Sequence, residues 1–251
     1  MVNFVGAGPG AADLITLRGK ELLEKADIII YAGSLVNKEL LQYAKSDAEI
    51  YNSAYMTLEE VIATIQKAEA VHKETVRLHT GDPSLYGAIK EQMDELDRLG
   101  ISYKVCPGVS SFSGAAAALS LEYTLPDVSQ TVIISRMEGR TPVPPGEKLR
   151  KLAKHKSTMV LFLSSGLAKE TKEELLLGGY DTTTPVAVVY KASWPEEKVV
   201  RGTLSELDTL MEQNNITKTA LIIVGDVLDS EYEKSRLYAA DFSTEYRKAT
   251  K

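Results

Sequence analysis

Apolar positions along this 251-residue chain follow two alternating patterns. Short aliphatic or β-branched runs, such as Phe4-Val5 and Ile28-Ile29-Ile30-Tyr31, are separated by longer stretches in which apolar residues recur every three or four positions. That alternation predicts strands joined by helices in a largely parallel sheet. Phe4-Val5 leads into a glycine-rich turn, residues 14–25 read as a helix with Leu17, Leu22 and Leu23 as its apolar positions, and residues 27–31 read as a buried strand. Thr57-Leu58-Glu59-Glu60 has the spacing of a capping box, and Leu58, Val61, Ile62 and Ile65 give the following helix an apolar face as it runs toward His72. Residues 75–78 are the next strand, ending at Thr80-Gly81-Asp82-Pro83. Residues 89–99 form a helix closed by Gly100 in the left-handed manner, and residues 102–106 a strand stopped by Pro107-Gly108.

After the run from Ala115 to Ala118 the character changes. Strand patterns return at residues 131–134, 159–163, 186–190 and 221–224, and Pro142, Pro144 and Pro145 mark a stiff exposed loop. A more helical first half and a more strand-rich second half predict two α/β domains, 1–120 and 121–251, joined somewhere within residues 115–130. The charged tail from Glu231 to Lys251, with its scattered Tyr and Phe, is expected to be a terminal helix or a partner-facing arm.

Composition narrows the classes. Hydrophobic residues at 44% and charged residues at 25% are those of a globular protein, which excludes a disordered tail or a fibrous repeat. The 29 basic and 35 acidic residues leave a net charge of −6, which argues against general nucleic-acid binding but is compatible with a local basic pocket. The single Cys106 excludes a disulfide framework and a cysteine-rich metal site, and fits a reducing cytoplasm. Residues 1–6 lack the basic region of a signal peptide, and the uncharged stretch 106–121 is too short and too rich in Ser and Gly to span a membrane. A soluble, cytoplasmic protein is expected.

Two motifs point to ligands. Gly6-Ala7-Gly8-Pro9-Gly10-Ala11 follows a strand in the Gly-x-Gly-x-x-Gly/Ala pattern, so a dinucleotide-dependent oxidoreductase is the alternative to be weighed first, beside the plainer use of a tight turn that needs glycine only for its backbone geometry. Against it, the second strand ends in Tyr31-Ala32-Gly33 without the acid that would hold a ribose, and Pro9 removes an N–H from the phosphate cradle. The Thr80 to Gly87 segment lies at a strand's carboxyl end, where open α/β sheets place ligands. There Asp82 either presents a carboxylate to a ligand or organises the turn. Val109-Ser110-Ser111 repeats this logic after Pro107-Gly108, with Ser110 as a helix cap being the plainer use. No Gly-x-Ser-x-Gly elbow supports a serine hydrolase, no P-loop is present, and His72, His79 and His155 have no metal-ligand spacing. His79, beside the Gly-Asp-Pro loop, is the histidine of note, although a strand-end histidine satisfied by backbone is the commoner case.

In this order, Val5-Gly6-Ala7-Gly8-Pro9-Gly10 with Leu14-Ile15-Thr16-Leu17-Arg18-Gly19, then Gly81-Asp82-Pro83, Pro107-Gly108-Val109-Ser110-Ser111, and Thr219-Ala220-Leu221-Ile222-Ile223-Val224-Gly225, the chain resembles the tetrapyrrole methylase family. The resemblance runs from Phe4 to Gly225. It implies two α/β domains with a cofactor trough between them, a homodimer, S-adenosylmethionine as methyl donor (S-adenosylhomocysteine as product), and a tetrapyrrole as the small-molecule acceptor. Tyr31 to Val36, His79 to Gly87, Ser129 to Ile133, Glu138 to Pro144 and Tyr190 to Pro195 resemble the branch that methylates C11 of precorrin-4 or its cobalt form, and general similarity with the 190–195 segment favours the cobalt form. The uroporphyrinogen-methylating branch has Asp-Arg-Leu-Val where this chain runs from Ala32 to Val36, which makes uroporphyrinogen a poor substrate. The resemblance carries cofactor contacts onto Pro9, Thr80, Gly81, Asp82, Leu85, Ser110, Ser111, Leu163, Ala192 and Ala220, with Asp82 toward the ribose or amino-acid end. Arg18, Arg136, Arg140 and Lys191, within or beside these motifs, are the candidates for the substrate's carboxylates, the two middle arginines first because a guanidinium fork matches a carboxylate. A corrinoid carrier without methyl transfer would lack the cofactor motifs seen here. No residue stands out as a general base, and no metal is expected.

Overall fold

A computed structural model describes residues 1–250 as two compact units. The first comprises residues 1–118 together with 191–198, the second residues 119–190 together with those from 199 onward.

The first unit runs β1 (Val2–Gly6), α1 (Leu17–Lys25), β2 (Ile28–Tyr31), β3 (Glu49–Asn52), α2 (Leu58–Ala70), β4 (Thr75–His79), α3 (Ile89–Arg98), β5 (Tyr103–Cys106) and α4 (Ser111–Leu119). Its sheet has the order β3-β2-β4-β1-β5 with all neighbours parallel. β1, β2 and β4 are buried along their whole length, as a parallel sheet covered on both faces requires. Val5, Ile29, Val76 and Leu78 face α1 in one cluster with Leu23, while Phe4, Ile28 and Ile30 pack with Val61, Ile62, Ile65 and Leu96 of α2 and α3 in another. The period of two in the strands therefore separates two cores, and each fully buried aliphatic side chain contributes about 1.5–3 kcal/mol.

Local chemistry sets the helix ends. α2 carries the predicted capping box, with the Glu60 N–H donating to Thr57 Oγ1 (3.3 Å) and the Thr57 N–H to Glu60 Oε2 (2.8 Å). α3 is followed by Gly100 at φ +67°. α1 begins three residues later than the apolar period predicts. Residues 12–14 form a 3-10 turn, and Thr16 stays extended to accept the Gly19 N–H at 3.0 Å as an N-cap.

The second unit runs β6 (Val132–Arg136), α5 (Leu149–Leu152), β7 (Thr158–Phe162), α6 (Ala168–Leu177), β8 (Pro185–Tyr190), β9 (Lys198–Thr203), α7 (Leu207–Gln213) and β10 (Ala220–Val224). Its order is β6-β7-β10-β8-β9, and β10 runs antiparallel to both β7 and β8. The expected largely parallel arrangement thus holds for the first unit alone. Each unit has five strands, so the second is not the more strand-rich one. Met159, Leu161, Val186, Val188, Ile222 and Val224 pack against Leu149, Leu175, Leu207 and Met211 of its helices.

The tail does not form a terminal helix: beyond a 3-10 turn at Arg236–Tyr238 it is irregular, with Arg247 donating to the carbonyls of Leu237 and Ala239. Lys251, where the expected helix or arm would end, lies outside the described residues. Among the described residues, no helix is long and apolar enough to cross a membrane.

Candidate functional site

The loops leaving β1, β4 and β5, three adjacent strands of the first sheet, meet through their backbones at Gly6, Gly81 and Gly108. A Cβ on Gly108 would stand 2.2 Å from the Gly81 carbonyl oxygen and 2.7 Å from Gly6 Cα, and one on Gly6 would stand 2.6 Å from Gly108 Cα. Only hydrogen fits at either position. Gly8 and Gly81 then pair, the Gly81 N–H donating to the Gly8 carbonyl at 2.8 Å, and the Ala7 N–H donates to the His79 carbonyl at 2.7 Å. Gly81 sits at φ +59°, and a side chain there would fill the space 3.3 Å from both N and Oγ of Ser111. The glycine thereby keeps a small cradle open beside the Ser111 N–H and hydroxyl, at the head of α4. The carbonyl of Ser110, itself buried, accepts the Ser113 and Gly114 N–H groups at 3.0 and 3.2 Å and starts that helix.

Asp82 ties two of these loops together. Its Oδ2 accepts the Gly108 N–H at 2.8 Å, and its Oδ1 accepts the Ser84 N–H at 2.8 Å and the Ser84 hydroxyl. Burial by itself would raise this carboxyl's pKa, but the hydrogen bonds from Ser84 and Gly108 outweigh it and hold the group below the ordinary carboxylate value. The turn-organising use of Asp82 is therefore present, and it extends to the neighbouring loop. Thr80 and Leu85, on the same loop, are half-buried.

A segment from far along the chain completes the cluster. Residues 191–198 return to the first unit, where Trp194 Nε1–H donates to the Pro9 carbonyl at 3.1 Å and the Ala11 N–H donates to Ser193 Oγ at 3.0 Å. Asn37 Nδ2 donates to the Gly10 carbonyl at 2.9 Å. Ala192 is buried here, with Gly10 and Gly114 as neighbours whose added Cβ atoms would meet its oxygen at 2.8 Å and its Cβ at 3.5 Å. The glycine turn is thus occupied by protein partners. Its Gly8 and Ala11 N–H groups are already used, and only a three-residue 3-10 turn follows before α1 begins six residues after Ala11, so no α-helix N-terminus opens on the turn. Both features that let such a turn hold a pyrophosphate are missing.

The remaining predicted residues divide between the two units. Leu163 follows β7 in the second unit, 65% exposed and at φ +51°, a left-handed conformation that disfavours a bulky side chain. The next residue holds it there: buried Ser164 Oγ donates to the Phe162 carbonyl at 2.7 Å and accepts the Met137 N–H at 2.8 Å. Ala220 opens β10 opposite Tyr190, and its carbonyl accepts Ser165 Oγ–H at 3.0 Å. Arg136 donates to the carbonyls of Met137 (3.3 Å), Thr141 (3.2 Å) and Pro142 (2.7 Å), so its fork braces the proline loop that carries exposed Arg140. In the first unit, Arg18 is exposed on α1, and Lys191 lies 3.5 Å from Glu196 and 5.1 Å from the centre of the Trp194 ring. The structure therefore brings together Pro9, Thr80, Gly81, Asp82, Ser110, Ser111 and Ala192, and gives Arg136 a local structural task.

Arg77, Gln92, Ser193 and the Trp194 latch escape a sequence reading. For Arg77 the signal was available: Thr75, Arg77 and His79 are polar at alternate positions of an otherwise buried strand. The backbone leaves one ring nitrogen of His79 unpaired. Its Nε2 is buried without a hydrogen-bond partner, and burial, with the Arg77 charge second, pushes its pKa down to about 3.

Residues 1–208 match the family described as tetrapyrrole (corrin/porphyrin) methylases. A cobalt-precorrin-4 C(11)-methyltransferase of Methanocaldococcus jannaschii is 58% identical over 251 residues, covering 100% of this chain and 97% of the relative. Among solved structures, a cobalamin biosynthetic enzyme, cobalt precorrin-4 methyltransferase, matches with a TM-score of 0.89 at 50% identity, covering 91% of this chain and 96% of the other. A Thermus thermophilus uroporphyrin-III C-methyl transferase complexed with S-adenosylhomocysteine matches at 0.78 and 30% identity, over 90% and 98% of the two chains. With the three glycine-packed loops and a match across most of its length, the chain belongs to the tetrapyrrole methylase family.

Proposed function

We propose that this protein transfers the methyl group of S-adenosylmethionine to C11 of cobalt-precorrin-4. The observation that carries the reading is the set of three loops locked at Gly6, Gly81 and Gly108, with an open cradle beside Ser111 where any side chain on residue 81 would intrude. The cofactor would be held by Pro9, Thr80, Gly81, Asp82, Leu85, Ser110, Ser111 and Ala192, and the family resemblance adds Leu163 and Ala220 to that list. When bound, it supplies an activated methyl group on a positively charged sulfur.

What the chain must do is orient the reacting groups. An acceptor carbon that is already nucleophilic needs alignment at about 3–3.5 Å, and rigid loops deliver that without reorganising. The positive charge on sulfur disappears in the transition state, so a carboxylate against it would favour the ground state, whereas backbone dipoles incur less of that penalty. Asp82, with its oxygens on Gly108 and Ser84, fits a role at the polar end of the cofactor and in fixing both loops. For the acceptor's carboxylates, exposed Arg18 and Arg140 are available, Lys191 stands beside Trp194, and Arg136 acts through the shape of the proline loop.

The dinucleotide reading fails on the occupied glycine turn and on Ala32, which stands where an acid should. A cytoplasmic homodimer that binds no nucleic acid completes the proposal, and sedimentation tests the dimer. Calorimetry tests the cofactor: S-adenosylhomocysteine should bind at micromolar concentration and nicotinamide dinucleotides should not. The reverse order of affinities would overturn the reading.

A further inference from the structure

On β4, the side of the sheet that packs against α2 and α3 carries a polar row. Arg77 pairs in register with Phe4 and Ile30, both members of the α2–α3 core, and His79 lies two residues further along the same face. Both are buried, at 6% and 4% exposure. The Arg77 guanidinium donates from Nε to Gln92 Oε1 at 2.9 Å and from Nη1 to the Ile30 carbonyl at 3.0 Å, while Gln92 is anchored by its Nε2 on the Ala88 carbonyl at 3.0 Å. Nη2 takes part in neither Arg77 bond. His79 Nε2, on the same cavity wall, has no partner.

Arg77, Gln92 and His79 line one cavity of about 310 Å³, walled by Leu58 and Val61 of α2 and by the Tyr86 to Ala88 turn. A buried polar atom left unpaired costs about 1–3 kcal/mol, so a cavity lined by a bare His79 Nε2 and a buried cation calls for an occupant that pairs with both. A guanidinium edge facing the same space as an imidazole in its Nε2–H tautomer is a receptor for a carboxylate. Glu91, the acidic member of the lining, is exposed to solvent, whereas Arg77 and His79 are buried. The volume lies at the lower limit for small-molecule pockets, about 300–1,000 Å³, and suits a short carboxyalkyl arm with water, not a macrocycle. Thr80 and Leu85 belong to the same lining, which sets the cavity directly beside the loop proposed to hold the cofactor.

We infer that this cavity receives one carboxylate-bearing arm of the methyl acceptor, held by Arg77 Nη2 and His79 Nε2, and so fixes the register of the acceptor against the methyl donor. The inference rests on the proposed methyl transfer to an acidic tetrapyrrole. Because Arg77 also holds Ile30 and Gln92, the decisive variant is His79→Leu, whose Nε2 has no protein partner to lose; Arg77→Lys supports it. The full chain, with and without S-adenosylhomocysteine, is titrated with cobalt-precorrin-4 and with its methyl-esterified form. Each variant should bind the acid form at least ten-fold more weakly, keep its S-adenosylhomocysteine affinity within two-fold, and bind the ester as the wild type does. Wild-type affinity for the acid form in a folded His79→Leu protein, or equal losses for acid and ester, would overturn the inference. Failure of the wild type to bind S-adenosylhomocysteine would count against the methyl-transfer reading instead, and the cofactor-free titration would still decide the cavity.

Discussion

Asp82→Ala removes the acceptor of three hydrogen bonds, from the Gly108 N–H, the Ser84 N–H and the Ser84 hydroxyl. Hydrogen bonds to a charged group contribute about 1.5–3 kcal/mol each. Ser84 is exposed, so water replaces the carboxylate there at little cost, whereas the Gly108 bond is partly buried and joins two loops. The loss should therefore be set by the Gly108 bond alone, about 1–3 kcal/mol. For a chain of this length that corresponds to a fall in Tm of about 2–12 °C. Since the same bond fixes residues 80–85 against residues 107–111, S-adenosylhomocysteine affinity should fall ten-fold or more, with Asp82→Asn intermediate. The pH dependence has a definite sign. The native carboxyl is held below its ordinary value, so its contribution is present above about pH 4 and is lost as pH falls through the depressed native pKa. The variant should lack that acid-side loss. Thermal unfolding across pH, with calorimetry for the cofactor, reads both effects. Wild-type Tm together with wild-type affinity in Asp82→Ala would refute the idea that this residue couples the loops.

Gly108→Ala places a Cβ 2.2 Å from the Gly81 carbonyl oxygen, with backbone on both sides and nowhere to yield. It should destabilise the protein by more than 3 kcal/mol or prevent folding, read by urea denaturation and soluble yield. Trp194→Phe keeps a ring but drops the N–H to the Pro9 carbonyl, so stability should fall by about 0.5–1.5 kcal/mol while cofactor affinity falls by more than that bond alone explains. Equal changes in the two would leave the latch without a role in the site. His79 stays neutral in the native state down to about pH 3, whereas the unfolded chain takes up the proton near pH 6.5. Stability from this residue therefore decreases as pH falls from 7, by about 2 kcal/mol at pH 5, and urea titrations of His79→Gln should show a pH slope flatter by that amount.

The parallel sheet of the first unit was legible because Phe4-Val5 and residues 28–31 are short apolar runs and β1, β4 and β5 each run into a glycine- or proline-marked turn, and the capping box at Thr57 announced α2 outright. β3 escaped notice because it is a short edge strand, Glu49–Asn52, in which two apolar residues sit side by side between polar ones and Ile50 is exposed, so no alternation appears. α6 was hidden for a different reason: its apolar residues bunch at Leu175, Leu176 and Leu177, so no period emerges. The antiparallel course of β10 left no local trace, since alternate burial along a strand reads the same in either direction. At the site, Gly81, Asp82, Ser110 and Ser111 were legible from turn chemistry at strand ends. The latch of Ser193 and Trp194 on Pro9 to Ala11 spans more than 180 residues and carries no pattern of its own. Arg136 has a local task that its motif does not announce: the carbonyls of Met137, Thr141 and Pro142 accept from its guanidinium and shape the proline loop.

The central claim is the position of the transferred methyl. Incubation of the protein with S-adenosylmethionine labelled with 13C in its methyl group and with cobalt-precorrin-4, followed by mass spectrometry and carbon NMR of the product, reads it directly. One added methyl, attached at C11, is the predicted result. No gain in mass, or a label found on any other ring carbon, would contradict the account.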